Sequence, residues 1–141
     1  MDKGHIACAN YPPSDYRLPR FPSLCWPPHN CVLYSVYDSW RFTLIWTLTL
    51  FSAFHLGAVA IALLMQIGKP RSVWKYLVAI PILYAAVSGV EALVAGSVVG
   101  SILGAVYTAA CYKMSTWIPF IWGLINVLIL IVSSFTIQGG L

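Results

Sequence analysis

Residues Tyr76–Ala110 read YLVAIPILYAAVSGVEALVAGSVVGSILGAVYTAA, and this stretch decides the fold. Its one formal charge is Glu91. A bilayer crossing takes roughly 20 apolar residues, so the stretch is long enough to span with residues to spare. Glycine returns at every fourth position, at Gly96, Gly100 and Gly104, with Ala92 before the series and Thr108 after it. Four residues advance a helix by about 400°, so these five small residues form one slowly winding stripe. In lipid such a stripe lets two helices approach until their backbones touch. Glycine inside a helix is roughly 1 kcal/mol less favourable than alanine, a loss that close contact offsets. The sequence leaves open whether the partner helix belongs to this chain or to another.

Glu91 lies nine positions before Gly100, about 900° of turn, which places it opposite the stripe. A carboxylate at membrane depth costs at least about 2.5 kcal/mol. Glu91 is therefore expected to be protonated, paired, or turned toward water or protein.

The rest of the chain fits a membrane protein. Of its 141 residues 60% are hydrophobic and only 9% are charged, and the mean hydropathy is +0.80. Soluble domains do not have this composition. The predicted fold is an all-α membrane protein with three transmembrane helices and an extended, proline- and aromatic-rich N-terminal tail. The expected boundaries are a tail over 1–41, helices over 42–67, 76–110 and 117–138, a basic connection over 68–75 and a second over 111–116. The 76–110 stretch is read as one long helix, with Pro81 a candidate kink and Ser88–Gly89 a candidate break. No apolar run in residues 1–38 resembles a signal peptide, so the first transmembrane segment is expected to act as the insertion signal.

The tail holds six of the nine prolines, a density expected to forbid regular helix and sheet. Its aromatic residues argue against a plain disordered segment. Trp26, Tyr34, Tyr37 and Trp40 are candidate docking residues, against the membrane interface or another protein. Cys25 and Cys31 are candidates for a disulfide in an oxidising compartment. Zinc would need His5, His29 and the tail cysteines together, at spacings that match no standard pattern. Asp38 or Ser39 is the expected cap of the first helix, and Ser115 or Thr116 that of the last.

Lys69, Arg71 and Lys75 make the 68–75 connection basic without an acid. The positive-inside rule places it in the cytosol and the tail on the lumenal side. Three polar residues fall at membrane depth: His55, Glu91 and Asn126. His55 is twelve residues from Ile67, and Glu91 is fifteen from Tyr76. Antiparallel helices bring them to similar depth, so a His55–Glu91 contact is expected. Asn126 is expected to hydrogen-bond across helices.

No nucleophile–base pair, phosphate loop or metal-binding motif stands out, and no internal repeat supports a transporter. The composition calls for no catalytic residue, no metal and no nucleic-acid partner.

Further residues carry a resemblance. They are Cys25 and Cys31 before Tyr37 and Trp40, Phe54-His55 with Gly57, Ala95-Gly96, and the run from Gly104 to Ala110. Ile118-Pro119-Phe120 opens the last helix and Val132-Ser133-Ser134-Phe135 closes it. Over residues 25–135 the chain resembles the transmembrane protein 170 family of small three-pass proteins of the endoplasmic reticulum and nuclear envelope. Two features depart from that pattern: Glu91 stands where an uncharged residue is expected, and the tail lacks sequons. The resemblance implies a non-enzymatic protein that accompanies a larger lipid-handling partner, such as a bridge-like lipid-transfer protein. It calls for no cofactor beyond a bound phospholipid. The alternative it implies is a self-associating, membrane-shaping protein that forms homo-oligomers through the glycine stripe. A small transporter or an enzyme subunit is a further alternative with little in the sequence behind it.

Overall fold

In a computed structural model, residues 12–27, 30–67 and 74–138 are described, with only the backbone given at 74–78 and 136–138. Three helices dominate: α1 (Val36–Leu64), α2 (Trp74–Ala109) and α3 (Trp117–Gln138). All three contain windows long and apolar enough to cross a membrane, at Val36–Leu64, Ala79–Ala109 and Trp117–Phe135. The chain is a multi-pass membrane protein. Two short strands, β1 (Val32–Leu33) and β2 (Met114–Ser115), pair antiparallel with Val32 opposite Ser115 and Leu33 opposite Met114.

The first helix starts six residues before the expected Phe42. Its cap is Ser35, neither Asp38 nor Ser39: the Ser35 backbone is extended and its hydroxyl accepts from Tyr37 N–H at 3.2 Å. Ser39 is instead buried in the first turn, where its hydroxyl donates to Ser35 O at 3.0 Å. Hydropathy rises only at Phe42 because the polar first turn precedes the apolar run, but the hydrogen-bonded helix starts at its cap. Helix α2 is continuous through Ser88 and Gly89 and carries Pro81 inside it. It ends in a Schellman arrangement: Cys111 N–H bonds Thr108 O, Tyr112 N–H bonds Tyr107 O, and Cys111 takes the left-handed position at φ 58°. Trp117 N–H reaches the Ser115 hydroxyl at 3.4 Å at the start of α3.

Helices α1 and α2 run antiparallel along the glycine stripe. A methyl group on Gly96 would meet Leu44 and Thr47, one on Gly100 would meet Trp40 and Thr43, and one on Gly104 would meet Val36, all at 2.9–3.2 Å. The stripe thus packs against α1 of the same chain. Ala92 is fully buried beside Phe51 and Val127. Thr108, expected as the last member, is exposed. Gly104 already meets Val36, the first residue of α1, so one turn further there is no helix left to face. On its other flank α1 receives α3, where Gly123 lies against the backbone of Trp46 and Thr47.

The described part of the tail lies on the protein's own surface, as a cap over the start of α3 on the end of the bundle where β1 and β2 pair. Thr116 Oγ1 donates to Ser23 O at 2.7 Å, Trp117 Nε1 donates to Cys25 O at 2.9 Å, and Thr116 N–H donates to Cys31 O at 3.2 Å. Phe21 reaches the Trp46 ring at 4.9 Å, and Trp46 meets Phe120 at 4.8 Å. Leu33, Phe42, Leu103 and Met114 form a buried cluster beneath this cap. Tyr16 Oη donates to Val32 O at 3.0 Å. Burial, with smaller contributions from Asp38 and Tyr34, pushes the Tyr16 phenol above its ordinary range. A raised folded value means this bond is fully present below the ordinary phenol value of about 10 and is lost only as pH rises past it.

Candidate functional site

The tail cysteines form a disulfide, Cys25–Cys31. It closes the loop whose two cysteine carbonyls hold Thr116 and Trp117. Closing so short a loop restricts the unfolded tail by about 2 kcal/mol in the chain-entropy account. Replacing both cysteines by alanine is expected to leave the three helices assembled and to loosen the cap. Limited proteolysis should then cut near Ser23–Trp26 several-fold faster than in the oxidised chain. Equal cutting rates would show that the hydrogen bonds alone hold the cap.

The four candidate docking residues separate. Trp40 packs its backbone on Gly100. Tyr34 sits edge-on to Tyr16, and the Lys113 ammonium lies 5.7 Å from its ring. The Tyr34 ring is thus occupied within the chain, while the half-buried Trp40 ring lies 5.7 Å from the Tyr37 ring. Trp26, 85% exposed, and Tyr37, 63% exposed, remain open. Lys69 and Arg71 lie outside the described residues. Lys75 is in the first turn of α2, where only the backbone is described.

At membrane depth the structure brings His55 and Glu91 together, with Nε2 to Oε2 at 3.7 Å. Glu91 is not opposite the stripe. The stripe itself drifts by about 40° every four residues, so its position must be read at Ala92, one residue from Glu91 and about 100° away. Glu91 therefore stands on the shoulder of the α1–α2 contact, close enough to reach His55.

His55 Nδ1 lies 2.9 Å from Phe51 O, and because a carbonyl only accepts, Nδ1 donates to it. Nε2 is left facing the Glu91 carboxyl.

Asn126 is buried, and its amide donates to Thr47 Oγ1 at 3.4 Å while Thr47 donates to Thr43 O at 2.8 Å. This chain links α3 to α1. Helices α2 and α3 make few contacts with each other, and a groove of about 440 Å³ opens between them. Phe51 of α1 lies in it, Val94 and Ala95 face Ile129 across it, and Glu91 and Asn126 supply polar groups. Sequence reasoning missed this groove and missed Ser88, a buried hydroxyl beside His55. The signal for Ser88 was present: it precedes Ala92 by four residues and continues the small-residue stripe. Among the described residues no three histidine, cysteine or acidic side chains cluster as a metal site.

Comparison with known proteins agrees with this architecture. The uncharacterized protein YPR153W of Saccharomyces cerevisiae (strain ATCC 204508 / S288c) is 36% identical over 132 residues, which span 90% of this chain and 91% of that one. No solved structure matches the chain. The family model described as transmembrane protein 170A/B-like matches residues 32–141, from β1 through all three helices. The chain belongs to the transmembrane protein 170A/B-like family.

Proposed function

We propose that this protein is a non-enzymatic accessory subunit of the endoplasmic reticulum membrane. It docks a larger lipid-handling assembly of the bridge-like lipid-transfer kind, with its tail in the lumen. The observation that carries the reading is the groove between α2 and α3. Its apolar walls and its two mid-membrane polar groups, Glu91 and Asn126, suit a partner helix better than fluid acyl chains. The glycine stripe is already packed against α1, which removes it as a surface for association. Trp26 and Tyr37 add exposed aromatic rings at the end of the bundle that carries the cap. The lumenal tail is supported by the basic 68–75 connection and by the disulfide, which an oxidising compartment maintains. The family resemblance points the same way.

Purification of the tagged protein from its own cells in mild detergent, with native sizing and mass spectrometry, tests this. The expected result is a stoichiometric, much larger membrane partner, lost when Val94 and Ile129 in the groove are replaced by tryptophan. A small homo-oligomer without such a partner would favour a self-associating, membrane-shaping protein instead.

A further inference from the structure

On the side of His55 away from the groove, a small pocket lies between α1 and α2. Its volume is about 70 Å³, and Ser52, His55 and Val59 face Tyr84, Ala85 and Ser88 across it. Counted along the helices, His55 is nine residues before Leu64, the end of α1. Ser88 is nine residues after Ala79, where the apolar window of α2 begins. Both are therefore about 13 Å inside the same end of the bundle.

Ser88 is the telling residue. It is 2% exposed, and its hydroxyl has no hydrogen-bond partner. Six other hydroxyls in these helices are bonded within their own helix. Thr43, Thr47, Thr49, Ser101, Ser133 and Ser134 each donate to the carbonyl four residues earlier, at 2.7–2.9 Å. That bond needs no other element and is open to any helical serine. Ser88 forgoes it and lines the pocket. A buried hydroxyl without a partner is unfavourable, more so where lipid offers no donor or acceptor.

His55 faces the same pocket. Its Nδ1 is taken by Phe51 O, and its Nε2 lies 3.7 Å from Glu91, beyond hydrogen-bond distance. The pocket thus presents a hydroxyl and a ring nitrogen with unmet hydrogen-bonding capacity. A water needs at least about 10–15 Å³ of such space and two or more polar partners. The pocket exceeds that several-fold, yet it falls well short of the roughly 300 Å³ that a drug-sized ligand takes.

We propose that this pocket is an intramembrane water site, holding one or two water molecules bonded to Ser88 Oγ and to His55 Nε2. The water completes Ser88 and bridges it to the His55 ring. Among the described residues the titratable groups lining the pocket are His55 from α1 and Tyr84 from α2, and Glu91 of α2 faces the His55 ring from outside it. The proposal stands independently of the docking role.

Proton-detected solid-state NMR on the full chain in phosphatidylcholine vesicles tests it directly, through magnetisation transfer from water. The expected result is transfer to His55 and Ser88 several-fold faster than to Phe51, which is buried one turn away from His55. Transfer to His55 as slow as to Phe51 overturns the proposal. Ser88→Ala gives a second test with opposite signs. Removing an orphan hydroxyl from a dry pocket raises the unfolding midpoint in detergent. Removing the anchor of a bound water lowers it. A lowered midpoint is expected, and a raised one overturns the proposal.

Discussion

Gly100→Leu is expected to separate α1 from α2. A Cβ at Gly100 would lie 3.0 Å from Trp40 Cα, 3.1 Å from Trp40 O and 3.1 Å from Thr43 Cβ. Two of those three atoms are backbone, so no rotamer change makes room. A leucine adds three further carbons to a space that does not hold the first. Overpacking a tight site usually costs about 1–3 kcal/mol, and a site closed by backbone belongs at or above the top of that range. The matched control is Gly89→Leu in the same helix, where an added Cβ meets nothing within 4 Å. It is expected to gain up to about 1 kcal/mol from helix propensity. Gly57→Ala and Gly89→Ala, both in open space, should gain up to about 1 kcal/mol from helix propensity alone. Unfolding of the purified protein in one detergent, followed by tryptophan fluorescence or steric trapping, compares all four. If Gly100→Leu and Gly89→Leu unfold together, the stripe is not the contact described here. The test also bears on assembly, because a stripe filled by α1 cannot also hold a second copy.

The parts of this fold that were legible in the sequence are local. The small-residue period fixes one face of α2, and that face meets α1 from Ala92 to Gly104. Its failure at Thr108 comes from the partner: α1 begins at Val36, set by the Ser35 cap, and the period of α2 carries no information about that end. The Glu91 misplacement has a different origin. A drifting stripe has no single opposite side, so an angle measured from Gly100 does not hold two turns away. The cap and the groove were not legible for a third reason. The tail is held through bonds such as Trp117 Nε1 to Cys25 O, across 92 residues. The groove depends on which faces of α2 and α3 stay apart. Soluble helices advertise their buried face through amphipathic periodicity. Helices α2 and α3 are apolar on all sides, so their sequences do not separate a lipid face from a protein face.

The His55–Glu91 pair supplies the other large effect. With its partner present, each polar group at membrane depth has the other within 3.7 Å. His55→Leu removes that partner and leaves Glu91, whose side chain is 41% exposed, alone at membrane depth. The isolated acid must take up a proton or turn toward water, and an intramembrane charge costs at least about 2.5 kcal/mol. His55→Leu is therefore expected to lose about 2 kcal/mol. Glu91→Leu should lose less than half as much. It removes the costly group, and the remaining imidazole keeps its Nδ1 bond to Phe51 O. The double variant should be no less stable than His55→Leu alone, because the acid stranded by the first change is absent. The coupling between the two sites should then fall within the 0.5–3 kcal/mol measured for residues in contact. Denaturant midpoints for the four proteins, in one detergent and at one pH, give the cycle. Losses that simply add would mean that the two side chains are neighbours without energetic coupling.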